Sequence, residues 1–136
     1  MSAAENKRLL QHIFSHLAEG DAKPFASAMA ETFRWTMIGS TAWSKTYEGK
    51  QTVLTELFGA LRSQIDGRIS TIAHHFYADG DHVVVEARGN NVTKAGIPYN
   101  NTYCFVFRLA GGQLHELTEY FDTELVTAAL RAPGAE

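Results

Sequence analysis

Apolar residues change their spacing about halfway along the chain. From Asn6 to Glu19, Leu9, Leu10, Ile13, Phe14 and Leu17 recur at helical intervals, and Gly20 ends the run, so the spacing predicts a first helix. Asp21 reads as the cap of a short second helix, with Pro24 in its first turn and Phe25, Ala28 and Met29 facing inward. FRWTMI reads as a short strand, and GSTAWSKTYEGK as a loop closed by Gly49. A third helix gathers Val53, Leu54, Leu57, Phe58 and Leu61 on one face.

Beyond Gly67 the period becomes that of strands: RISTIAHHFY, HVVVEARG, PYNNTYCFVFRL and QLHELTEYF. Asp79-Gly80 and Gly111-Gly112 separate two of the pairs and are turn signals. A last helix is expected from about Thr123 to Arg131, packing Leu125, Val126, Ala129 and Leu130. Three helices followed by an antiparallel sheet predict one α+β domain over residues 1–136. Such a sheet, covered on one face by the helices and closed by a short C-terminal helix, curls into a cone with a pocket inside.

The last hairpin decides which side chains reach that pocket. A two-residue turn at Gly111-Gly112 places Glu119 opposite Cys104, whereas a glycine bulge at Gly112 places it opposite Tyr103. The hydrophobic pattern favours the bulge. It gathers Tyr99, Tyr103, Phe105, Phe107, Leu117 and Phe121 on one face with Asn101, His115 and Glu119. Leu114, Glu116, Thr118 and Tyr120 then share the other, mixed face with Thr102, Cys104, Val106 and Arg108.

HELTEYFD therefore holds three acids with three expected roles. Glu116 lies on the mixed face, solvated or paired at an interface, and Asp122 caps the last helix. Glu119 stands on an aromatic wall, where a bare carboxylate is costly unless it is hydrogen-bonded or its pKa rises. That is the state a general acid or base requires. Glu86 interrupts the apolar run HVVVEARG and is its expected acid–base partner, with Tyr103 holding the carboxylate or polarising a substrate oxygen. The plainer reading is a buried network joining these acids to Tyr103, Arg34 or Arg88.

Composition narrows the partners. The 136 residues, 45% hydrophobic and 20% charged, suit a globular domain with a real core. A net charge of -3 without a basic run gives no reason to bind nucleic acid. There is no apolar stretch of membrane length, and MSAAENKRLL lacks the apolar middle of a signal peptide; the single Cys104 suits a reducing compartment. A cytoplasmic protein with no membrane partner is expected. His12 and His16 lie mostly off the apolar stripe without a third ligand, and the adjacent His74 and His75 point to opposite faces, so no metal site is expected. His74 shares the face of Glu86 if the Asp79-Gly80 turn carries a glycine bulge. Trp43, in a glycine- and serine-rich loop, suggests a pocket lid.

YNNTYCFVFRLAGGQLHELTEYFD resembles the final hairpin of the superfamily of SnoaL-like polyketide cyclases, ketosteroid isomerases and limonene-epoxide hydrolases. FRWTMIGSTAWSKTYEGKQTV resembles the strand, glycine loop and helix of SnoaL-like proteins, and the order of elements agrees over nearly the full length. The resemblance implies the nuclear transport factor 2-like, or cystatin-like, cone. Glu119 falls where limonene-epoxide hydrolase has a catalytic aspartate in a D-Y-F-D run, and Glu86 near its second aspartate. Val84 stands where that enzyme has an arginine, and Arg34 and Thr36 where it has its water-holding Tyr and Asn. Ketosteroid isomerase carries its general base on the first strand, where Thr36 and its neighbours cannot serve.

Together these readings predict an isomerase, cyclase or hydrolase that acts without metal or organic cofactor on a small apolar molecule bearing a carbonyl or epoxide. The alternative is a non-catalytic ligand-binding or accessory module of the same fold. Glu119, Glu86 and Tyr103 are the expected catalytic groups. Arg34, Trp35, Thr36, Trp43, His74, Asn101, Phe105 and Phe121 are the expected ligand-binding ones. The mixed sheet face, with Val106, Cys104, Thr102 and Tyr120, is expected to pair two copies into a homodimer.

Overall fold

The computed structural model describes residues 1–135. Helix α1, Ala3–Leu17, starts at a capping box in which the Ser2 hydroxyl accepts from the Glu5 N–H and the Glu5 carboxylate accepts from the Ser2 N–H. Its buried stripe is Leu10, Ile13 and Phe14. Gly20, at φ +76°, turns the chain out of α1 in a left-handed conformation suited to glycine. Helix α2, Lys23–Ala28, is a short piece that buries Phe25 and has Pro24 in its first turn. The third helix, α3, is continuous but uneven: Lys50–Thr52 and Phe58–Gln64 are α-helical, and Val53–Leu57 between them is a π turn that buries Val53 and Leu57. Helix α4, Thr123–Ala129, is capped by Asp122, whose Oδ1 accepts from the N–H groups of Glu124 and Leu125, as the sequence predicts. Among the described residues no helix is long and apolar enough to cross a membrane.

Six strands form one curved sheet in the order β2-β1-β6-β5-β4-β3. They are β1 Met29–Met37, β2 Thr46–Glu48, β3 Thr71–Asp79, β4 His82–Gly89, β5 Thr102–Ala110 and β6 Gln113–Phe121. The α+β architecture is the one expected, with two refinements. The loop after β1 contains β2, a three-residue edge strand. Strands β1 and β6 pair in parallel, with Trp35 beside Leu117 and Met37 beside Glu119, while the other pairs are antiparallel. Phe33, Trp35 and Met37 thereby face the helices, and Arg34 and Thr36 face away.

The final hairpin departs from the expected register. Gly111 and Gly112 both take positive φ, +57° and +76°, and form a two-residue turn with Ala110 opposite Gln113. The bulge lies further along, at His115, between the pairs Leu109–Leu114 and Arg108–Glu116. Leu114 and Leu117 are both buried though an odd number of residues apart, and only an extra residue between them lets both face inward. Glu119 consequently sits opposite Phe105 rather than Tyr103. Its face is the expected one; Leu114, however, moves to the buried side and His115 is taken up by the bulge. Strand β3 repeats the device: Ala73 and Phe76 face the core, and His74 between them is the extra, exposed residue.

Candidate active site

The concave side of the sheet and the helices enclose a cavity of about 330 Å³. Phe14 of α1, Phe25 of α2 and Phe58 of α3 meet Trp35, Phe105 and Phe107 of the sheet to form an aromatic wall. The rings meet edge-on or tilted at 5.7–6.2 Å between centroids, which fits the attraction between ring edges and faces. Leu117 and Met37 add aliphatic surface beside Glu119.

Glu119 is the acid in this wall. Only 5% of it is exposed, and its Oε1 accepts a hydrogen bond from the indole N–H of Trp35 at 3.0 Å. Burial raises its pKa from 4.5 to about 8, against the smaller, opposing effect of the Trp35 hydrogen bond. The other oxygen, Oε2, has no hydrogen-bond partner among the described residues. Tyr103 lines the same cavity, its ring stacked on Phe105 at 5.0 Å. Its phenol pKa is held well above the ordinary value, first by burial and then by the neighbouring Tyr99 and Glu119, so the hydroxyl remains a donor. Among the described residues no group of three or more His, Cys, Asp or Glu could hold a metal ion.

Of the residues singled out in sequence, Glu119, Tyr103, Trp35 and Phe105 come together on the main cavity. Phe121 and Trp43 instead line a separate void of about 10 Å³ that Glu119 also borders. Trp43 is a core residue rather than a lid: it is buried, and its indole N–H donates to the Arg131 carbonyl at 2.9 Å, tying the loop after β1 to the C-terminal segment. Asn101 is fully buried and does not line the cavity. Its Oδ1 accepts from the N–H groups of Thr102 and Asp122, and its Nδ2 donates to the Asp122 carbonyl and the Tyr99 hydroxyl, which fastens β5 to the start of α4.

Four further residues lie on the outer surface of the sheet, away from the cavity. Glu86 is on the convex face, where it accepts from the Tyr77 hydroxyl at 2.9 Å and neighbours Cys104, because β4 sends Val83, Val85 and Ala87 inward. It is not the partner of Glu119. Arg34 pairs with Glu48 at 3.1 Å and reaches Glu116 at 3.7 Å, while Glu116 also accepts from Arg108 at 2.9 Å. Thr36 bonds to Thr46, and His74 is the exposed bulge residue. Alternation along the strands places Glu86, Arg34 and Thr36 on the sheet's outer side, and the bulge in β3 leaves His74 exposed.

The cavity also has contributors that sequence reasoning passed over. Tyr99 was expected on this face as a core residue, but Arg62 at the end of α3 and Arg68 in the following loop were not singled out. Two basic residues flanking a glycine loop look like ordinary solvated charge; only the return of that loop over the cavity mouth makes them part of it.

A curled sheet closed by helices over an apolar hollow is the nuclear transport factor 2-like architecture, which the SnoaL-like and ketosteroid isomerase-like proteins share. The profile of the SnoaL-like domain matches residues 10–117, and the chain belongs to that family. Among solved structures, an NTF2-like protein from Burkholderia thailandensis superposes with a TM-score of 0.79 at 18% identity, over 91% of this chain and 95% of that one. A protein from a Jannaschia species, provisionally described as a SnoaL-like polyketide cyclase, superposes at 0.76 with 20% identity, over 96% and 94%. One from Bacillus subtilis, provisionally described as an isomerase, superposes at 0.76 with 21% identity, over 95% of each chain. These likenesses establish the fold. The sequence has no match among curated proteins.

Proposed function

We propose that the chain is a cofactor-independent isomerase or cyclase that moves a proton within a small, mainly apolar carbonyl compound, with Glu119 as the transferring group. The observation that carries this reading is a lone carboxyl, pKa about 8, set in the wall of an otherwise largely apolar cavity. At pH 7 about a tenth of such groups are ionised, so the proton is taken up and given back with little imbalance in driving force.

The chemistry follows from the two polar groups. Ionised Glu119 takes a proton from the carbon beside the carbonyl, and the electron pair of that C–H bond moves onto the carbonyl oxygen. Tyr103, whose hydroxyl stays protonated, donates a hydrogen bond to the developing oxyanion. Where a carbon–carbon double bond lies next to that carbon, the enolate is a dienolate, and returning the proton from Glu119 to its far carbon shifts the double bond into conjugation with the re-formed carbonyl. If the enolate carbon instead attacks a second carbonyl of the same molecule, the proton passes to the new alkoxide and a ring is closed. The hydrogen bond from Trp35 occupies Oε1, which leaves Oε2 for the substrate. Hydrolysis of an epoxide would require water held between two acids, and the position of Glu86 on the convex face speaks for the carbonyl chemistry instead.

The test uses β-tetralone, a bicyclic ketone, in deuterium oxide. Proton NMR should show accelerated loss of the signal from the protons beside the carbonyl, rising with pH through about 8 as Glu119 ionises. Glu119→Gln should slow that exchange about a hundredfold or more. Binding of the ketone without accelerated exchange would make the chain a ligand-binding module.

A further inference from the structure

We propose, taking the cavity to be a ligand site, that its ligand is an amphipathic organic anion: a carboxylate held at the mouth by Arg62 and Arg68, with an apolar body reaching inward to Glu119 and Tyr103.

The cavity is strongly asymmetric. One part of its wall holds rings, aliphatic groups and the buried carboxyl, and another holds the two exposed arginines. Arg62 makes one long contact, 3.5 Å from its Nη2 to the Leu54 carbonyl, and neither arginine lies within 4.0 Å of a carboxylate among the described residues. Arg34 and Arg108 on the convex face, by contrast, are both ion-paired. Asp21, in the turn beside the mouth, is already engaged: its carboxylate meets His16 Nδ1 at 3.1 Å and accepts from the Lys23 N–H at 3.0 Å.

Arg68 is also fitted to its place. A Cβ on Gly20 would come within 2.6 Å of Arg68 Cβ and 3.0 Å of its Cδ, so the bare glycine allows the arginine stem to lie across the end of α1 at the rim. Two guanidinium groups without a carboxylate partner among the described residues thus stand at the opening of an apolar hollow in a chain whose net charge is -3. A guanidinium fork matches a carboxylate in shape and charge. A cationic ligand would be repelled there. A carboxylate carried deep into the hollow would lose its hydration and come up against Glu119. Both effects turn the ligand one way, with its charge outward and its reacting carbonyl inward.

Calorimetric titration with two probes of the same shape tests this: β-naphthoate and the neutral methyl ketone β-acetonaphthone. At low ionic strength the naphthoate should bind about tenfold more tightly, and salt should compress the difference because both arginines are exposed. In the double variant Arg62→Gln, Arg68→Gln the ratio of the two affinities should fall to about one. Arg88→Gln, on the exposed side of β4, should keep the wild-type ratio. Equal binding by the wild-type protein, or a preference that survives the double substitution, would overturn the assignment while leaving the cavity a ligand site. Binding of neither probe would overturn both readings.

Discussion

The Trp35 indole and the Glu119 carboxylate, 84 residues apart in the chain, meet at 3.0 Å across the parallel pair of β1 and β6. Trp35 lies beside Leu117 and Met37 beside Glu119, so the indole reaches diagonally along the sheet to the acid. Among the described residues this bond is the one polar contact that favours the charged form of Glu119, and desolvation outweighs it.

That balance makes stability depend on pH. The folded-state pKa of Glu119, about 8, lies above the unfolded value of 4.5, so the folded chain binds the extra proton between them. The contribution is fully present below about pH 4.5 and is lost as pH rises through about 8, on the order of several kcal/mol in total. Glu119→Gln keeps an acceptor for Trp35 and removes the titration. Thermal melts should show the variant gaining on the wild type as pH rises through this window, and leading it above pH 8.

Trp35→Phe removes the donor but keeps an aromatic ring against Phe25 and Phe58. With nothing left to favour the carboxylate, the pKa of Glu119 should rise further. A carbon-detected NMR titration of the glutamate carboxyls should place its midpoint above that of the wild type; a lower midpoint would contradict the balance described here.

Glu86 and Asn101 should behave in opposite ways. Glu86→Gln leaves the surface bond to Tyr77 possible and should change stability by about 0.5 kcal/mol or less, with no effect on ketone exchange. Asn101→Ala strands the buried Tyr99 hydroxyl and the partly buried backbone groups of Thr102 and Asp122, and should cost about 2 kcal/mol in a denaturant titration.

We propose that two copies pair through the convex face of the sheet. Half-buried Val84, Cys104, Val106 and Thr118 form a band there between exposed Tyr77 and Tyr120. Sedimentation equilibrium at micromolar concentration should give twice the 15.0 kDa chain mass, and Val106→Asp should return it to the monomer. A wild-type monomer would sink the proposal.

The elements themselves were legible in the sequence because each carries its own period. The strands His82–Gly89 and Gln113–Phe121 lie where their alternation and flanking glycines put them, and Asp122 caps the last helix. Glu119 announced itself by chemistry, as a carboxylate between Leu117 and Phe121 on an aromatic face. Glu86 gave the same kind of signal and misled, because a strand between two others alternates its faces however apolar its neighbours are.

What the chain determined alone was local: period, turn chemistry, caps, and the face on which an acid would be expensive to bury. Where the bulges fall in β3 and β6, the parallel pairing that brings Trp35 to Glu119, and the return of Arg62 and Arg68 over the cavity were decided by tertiary packing. Bulges are placed by which apolar side chains must share one core. Contacts between distant strands depend on the order in which the sheet assembles its neighbours, and no short window of sequence contains either constraint.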